Sequence, residues 1–222
     1  MLSCHELRKT YKTGNGTVAA VRGIDLQIPD GQFAAVIGRS GSGKSSLMAM
    51  IGGLSRPDAG RIMVDGTDIW TLSDNDLAQF RNRKVGYVFQ FASLLPTLRV
   101  IDNVMLPAML SRTAPKQEIE ARALQLLANV GLSDHSQAYP SEISAGEQRR
   151  TAIARALINE PRLLLADEPT ADLDEQTERE IMAELLKVNR DSGTTLVLVT
   201  HNLALAAQAQ QVMHIANGVI VT

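Results

Sequence analysis

Only one cysteine, Cys4, occurs in the 222 residues, which excludes an intramolecular disulfide and a cysteine-based metal site and suits a reducing cytosol. The four histidines, His5, His135, His201 and His214, are too scattered to suggest a metal cluster. Long apolar runs are also missing. Stretches such as residues 163–166 and 196–199 fall far short of the roughly 20 residues that cross a bilayer, so work at a membrane requires another chain to carry the spans. Residues 1–10 are polar and charged, and no signal segment is expected there. An excess of charge of one sign is missing as well: the net charge is −2 and the pI about 6.1, so nothing favours broad attraction to nucleic acid. There is no internal repeat, no low-complexity segment and no flexible linker. A composition of 45% hydrophobic and 21% charged residues remains, that of a soluble globular chain with a substantial core, expected as one domain with subdomains.

The most informative stretch is GRSGSGKSS, residues 38–46, which follows the apolar run FAAVI and precedes LMAMI. A short buried strand, a glycine-rich loop and a helix are therefore expected, which is the setting of a phosphate-binding loop. Gly38, Gly41 and Gly43 let the backbone turn several N–H groups inward above a helix N-terminus. Lys44 can reach the β- and γ-phosphates, and the Ser45 hydroxyl suits magnesium.

Before the loop, residues 3–28 read as antiparallel strands around a turn at Thr13-Gly14-Asn15-Gly16. Tyr11 near that turn is either an edge-strand aromatic or a flat ring for adenine. After the loop, residues 61–64 read as a strand ending at Asp65-Gly66, and Ser73 starts a helix. Residues 84–89 read as a strand that delivers Gln90 to the carboxyl edge of a sheet, where it can orient water or join a metal shell, or simply end the strand. Residues 91–143 change character, with helical spacing over 100–110 and 118–130 and Pro96, Pro107, Pro115 and Pro140 as punctuation, as for a helical insertion. Ser144 and Glu147 form a capping-box pattern, whose helix start is either a plain cap or a second anion site. The apolar run 163–166 ends in Asp167 and Glu168, acids suited to a metal shell and to polarising an attacking water. A β-branched strand over 194–200 brings His201 to the same edge, as a helix-start residue or near a γ-phosphate, and residues 212–221 read as a closing hairpin.

Together these segments resemble the ATP-binding domain of ABC transporters over essentially the whole chain. The loop 38–45 matches the family's phosphate loop, Gln90 its Q-loop, ISAGEQ (143–148) its signature motif and residues 163–168 its Walker B strand. ADLD (171–174) matches its D-loop, His201 its switch histidine, and Tyr11 falls where the family stacks adenine.

The resemblance implies an α/β fold: a P-loop NTPase core with a mostly parallel sheet, an N-terminal antiparallel β subdomain, and a helical subdomain at about 91–160 within one domain spanning 1–222. It also implies an ATPase that binds ATP through Tyr11, Gly38, Ser40, Gly41, Ser42, Gly43, Lys44, Ser45 and Ser46. Magnesium would be held by Ser45, Gln90 and Asp167. Glu168 would act as general base, with His201, Gln90 and Lys44 completing the catalytic set. Ser144, Gly146 and Glu147 of a second, head-to-tail copy would close over the nucleotide, with Asp174 tying the two sites.

The other implied partner is an integral-membrane permease that meets residues 91–104. No nucleic acid is implied, and the location is cytoplasmic, on the inner face of the inner membrane. Two departures stand out: Ala145 replaces the first of two usual glycines, and Ser46 follows Ser45 where Thr is commoner. Within the family, VFQFASLLP (88–96) and DEPT (167–170) resemble the lipoprotein-releasing and macrolide-export group. The rival readings are the ATPase of an amino-acid-type importer and a nucleotide-gated regulator of a membrane complex.

Overall fold

The computed structural model describes residues 1–14, 16–112 and 114–221; Asn15 of the expected turn lies outside them. Two long strands open the chain, β1 (Leu2–Thr13) and β2 (Gly16–Ile28), paired antiparallel. With β4 (Ala59–Val64) and β5 (Thr67–Asp68) they form a four-stranded sheet in the order β2-β1-β4-β5. The Asp65-Gly66 turn between β4 and β5 has positive φ at both residues, 51° and 76°, the twist that closes a tight hairpin.

The second sheet has six strands in the order β10-β9-β3-β8-β7-β6. Its parallel centre is β3 (Phe33–Ile37), β8 (Thr195–Val199) and β7 (Leu163–Asp167), each almost wholly buried, as sheets covered on both faces require. The edges are β6 (Val85–Val88) on one side and the hairpin β9 (Gln211–Ala216) and β10 (Val219–Val221) on the other. The two sheets meet where Arg22 N–H donates to Gly218 C=O at 2.8 Å.

Helices α1 (Lys44–Ile51), α2 (Asp74–Lys84) and α6 (Glu175–Ser192) pack on this framework. Local chemistry sets their ends. Ser73 caps α2, which has acids in its first turn and Arg81, Arg83 and Lys84 in its last, complementing the helix dipole. Asp174 caps α6, and Gly193 ends it in the left-handed region.

Between β6 and β7 the described residues form α3 (Val100–Ser111), α4 (Lys116–Asn129), α5 (Ala145–Leu157) and short 3₁₀ turns. These helices bury a cluster of their own, including Val100, Ile101, Val104, Met105, Ile119, Ala123, Leu127, Ala154 and Ile158. Two expectations are corrected here. Pro107 does not punctuate; it lies inside α3. Burial of Ile101, Val104 and Met105, about 1.5–3 kcal/mol each, outweighs the roughly 3 kcal/mol of an interior proline. For the same reason Val100 and Val104 are core and cannot offer contact surface, whereas Phe91 is 68% and Leu95 45% exposed.

Candidate active site

The carboxyl ends of β3, β7 and β8 lie side by side, so the loops that leave them converge. After β3 the chain bends at Gly38, where a Cβ would sit 2.2 Å from the Ile215 carbonyl oxygen. At Gly43, φ is 110° and a Cβ would meet the Ala20 carbonyl oxygen at 2.2 Å, so only glycine passes between β2 and the helix start. Gly218 N–H donates to Ser42 C=O at 3.0 Å, so the β9–β10 hairpin braces the loop from outside. The Ser42 hydroxyl is buried and finds no hydrogen-bond partner among the described residues. Helix α1 starts with no side-chain cap and no acid in its first turn, which leaves its N–H groups and positive dipole end for an anion.

The loop and the segments that follow β6, β7 and β8 border a cavity of about 480 Å³ lined by Ala20, Gly38, Ser40, Gly41, Gly43, Lys44, Ser45, Ser46, Gln90, Glu168 and His201. Lys44 is 6% exposed and folds onto its own loop, its Nζ donating to the Gly38 and Arg39 carbonyls at 2.8 and 3.1 Å. Asp167, at the last position of β7, has its carboxyl pKa raised by burial, opposed by a hydrogen bond from the Ser45 hydroxyl, raised further by Glu168 and lowered by Lys44. Glu168 holds a left-handed φ of 46°, its N–H donating to Val199 C=O at 2.9 Å. That sparsely populated conformation aims the side chain at His201, whose Nδ1 lies 3.3 Å from Glu168 Oε2. An anion cradle at a helix start, a cationic side chain, a hydroxyl that bonds Asp167 and a carboxylate–imidazole pair thus line one cavity. Such a set can bind a polyphosphate and direct water at its end.

The family model described as ABC transporter matches residues 21–171. The chain belongs to the ABC transporter family.

It is an ATP-hydrolysing subunit of that family, and its two-sheet architecture is the ABC ATPase fold that the motifs imply. Over its full length this ABC ATPase is 43% identical to the lipoprotein-releasing system ATP-binding protein LolD of Syntrophus aciditrophicus, covering 99% of that protein. It is 42% identical over 99% of its length to the macrolide export ATP-binding/permease protein MacB of Syntrophobacter fumaroxidans, of which it covers 31%. It superposes on the dimeric, post-hydrolysis ATP-binding cassette MJ0796 bound to ADP and phosphate with a TM-score of 0.93 and 36% identity, covering 100% of this chain and 97% of that one.

Other residues singled out in the sequence lie away from the cavity lining. Tyr11, 38% exposed, pairs across the sheet with Val18, two residues before the cavity residue Ala20, and Lys9 Nζ sits 5.5 Å from its ring centroid. Ser144 caps α5, accepting from Glu147 N–H at 3.3 Å while its own N–H donates to Glu147 Oε2 at 2.7 Å. The Ser144 hydroxyl, which donates to Glu147 Oε2 at 2.7 Å, and then the Ser144 N–H hold the Glu147 carboxyl below its usual range.

Asp174 accepts from the Thr177 hydroxyl at 2.6 Å, and a Cβ on Gly146 would meet Thr177 Cγ2 at 2.8 Å, so Gly146 and Asp174 are both held at Thr177. Ser144 and Asp174 are exposed. Ala145 is the first helical residue of α5 and is not among the positive-φ positions, so its methyl introduces no left-handed strain. Sequence reasoning missed Ala20, a small residue on β2 with no distinguishing pattern, and Arg149, whose burial nothing local announces.

Proposed function

We propose that this chain is the ATPase of a transporter that extracts or exports a lipid-linked, peptide or drug-like substrate through a separate membrane permease. Two copies are proposed to join head to tail on ATP. One observation carries this reading: the cavity collects the phosphate loop, Gln90, Glu168 and His201, whereas Ser144, Gly146 and Asp174 gather on a separate, solvent-facing edge. Half a site thus lies beside half of another, and a second copy in the opposite sense completes both.

In the proposed chemistry the phosphate chain lies along the loop N–H groups, and Lys44 leaves its carbonyls for the β- and γ-phosphates. Gln90 orients the attacking water, Glu168 takes its proton, and His201 and Lys44 offset charge on the transferred phosphoryl. Tyr11 stacks the adenine. Ser144, Gly146 and Glu147 of the second copy cover the γ-phosphate.

The Ser45 hydroxyl, already bonded to a partly buried Asp167, and Gln90, which lines the same cavity as Ser45, supply oxygen donors that fit magnesium. When bound there, the ion supplies countercharge to the phosphate oxygens.

The permease surface is proposed around the exposed Phe91 and Leu95; Phe89, two residues before Phe91, lines a cavity of about 640 Å³ shared by α2, β6, α3 and α5. None of the described helices is long and apolar enough to cross a membrane, and the proposed location is the inner face of the inner membrane. The export group is favoured by the likeness to lipoprotein-releasing and macrolide-export proteins.

The test is phosphate release by the purified chain with magnesium and ATP, alone and with its co-purified membrane partner. Turnover that rises with the partner is expected. A chain that binds ATP without turnover in both conditions contradicts the reading and favours a nucleotide-gated regulator.

A further inference from the structure

Arg149, little more than one turn into α5, is 7% exposed. Its guanidinium donates to the carbonyls of Phe89 at 3.1 Å, of Gln90, and of Ala171 at 3.4 Å. Burial holds its pKa below the usual guanidinium value, opposed in part by Asp172. A guanidinium hydrogen-bonded to neutral carbonyls gives up water with no acid bonded to it among the described residues and only a longer-range pull from Asp172, a poor choice if the space only needs filling. What Arg offers is a rigid planar fork of five donors, able to hold several carbonyls at once.

The carbonyls it holds belong to segments that carry the site. Phe89 and Gln90 form the loop at the end of β6. Ala171 N–H in turn donates to Glu168 C=O at 3.2 Å, closing the turn that carries Glu168. Arg155, further along the same helix, donates to the Ser93 and Ala92 carbonyls at 2.8 Å each, so residues 89–93 are fastened to α5 at both ends. None of these carbonyls belongs to the phosphate loop.

We propose that Arg149 is a positioning residue: it ties the Gln90 backbone and the Glu168–Ala171 turn to α5, so that movement of the helical segment sets the water-directing side of the cavity. The proposal rests on the roles given above to Gln90 and Glu168. Because the phosphate loop is not held by Arg149, nucleotide affinity and turnover respond separately to its loss.

The experiment measures kcat, KM and equilibrium ATP affinity for the full chain and for Arg149→Gln and Arg149→Lys, with thermal melting as the check on folding. Arg149→Gln is expected to lower kcat by about tenfold or more while KM and affinity stay within about threefold. Arg149→Lys, whose single ammonium serves fewer carbonyls, is expected to recover part of that loss. A kcat within about threefold of the parent, or an affinity that falls in step with kcat, overturns the proposal. If Arg149→Gln does not fold, Arg149→Lys decides: a kcat loss of about threefold or more at unchanged affinity supports the role, and parental kcat overturns it. Absence of turnover in the parent chain, with and without permease, removes the proposed function and this inference with it, whereas an active parent with an indifferent Arg149 removes only the inference.

Discussion

Glu168→Gln tests the proton-accepting role proposed for one carboxylate. The backbone at this position is fixed independently of the side chain, by the N–H to Val199 C=O bond of 2.9 Å and the C=O to Ala171 N–H bond of 3.2 Å. Gln has the same shape, so its amide is expected to occupy the carboxylate's place 3.3 Å from His201 Nδ1. Only the capacity to take a proton from water is lost. A positioned base contributes about 10²–10⁴-fold, which corresponds to about 2.7–5.4 kcal/mol in the barrier. Lys44, the loop N–H groups and Ser45 are untouched, so ATP affinity is expected to stay the same or tighten as a negative charge near the γ-phosphate is removed. Single-turnover phosphate release and equilibrium binding of a fluorescent ATP analogue measure the two quantities. Turnover within about threefold of the parent, or affinity lost in parallel with turnover, would refute the assignment.

Three further outcomes are expected. Gly43→Ala places a methyl 2.2 Å from the Ala20 carbonyl at a φ of 110°; a loss of at least about 2 kcal/mol in denaturant unfolding is expected, with ATP binding weakened, and an unchanged midpoint would contradict the close packing of β2 on the loop. Glu184 has its carboxyl pushed up from 4.5 to about 7, chiefly by burial, and one of its oxygens finds no hydrogen-bond partner among the described residues. The folded chain therefore holds this proton more tightly than the unfolded one, and stability falls as pH rises from about 4.5 to about 7. Discounted for partial access to water, the effect is on the order of 1–2 kcal/mol, so Glu184→Gln is expected to melt roughly 2–8 °C higher at pH 8, with the gain vanishing near pH 4; an equal gain at both pH values would rule out titration as the cause. Phe91→Glu puts a charge on an exposed ring and is expected to leave basal ATP turnover within about threefold while abolishing stimulation by the permease; retained assembly and stimulation would place the docking surface elsewhere.

Much of the fold is legible because its signals are local. Strand, glycine loop and helix follow one another within residues 33–51, and the capping residues Ser73 and Ser144 each mark a helix start. The cavity set Lys44, Ser45, Gln90, Glu168 and His201 is legible for a related reason, since parallel strands deliver whatever follows them to one edge. What was not legible depends on tertiary packing. Pro107 reads as a break but is carried through α3 by the burial of its neighbours. Val100 and Val104 have the look of an apolar contact face, yet the helical segment closes over them. Arg149 sits beside Arg150 in the sequence, but one enters the interior to hold backbone carbonyls while the other meets Glu180 at 3.5 Å. No pattern in the sequence distinguishes the two, because their difference arises from which carbonyls the distant residues 89, 90 and 171 bring to α5.

Sedimentation equilibrium of the Glu168→Gln chain, saturated with ATP and magnesium, tests most directly whether nucleotide is gripped between two copies. A species of twice the 24.0 kDa chain mass, reverting to single chains when the nucleotide is withdrawn, is the expected result. Single chains at saturating ATP, both alone and alongside the permease, would contradict a site shared between two copies.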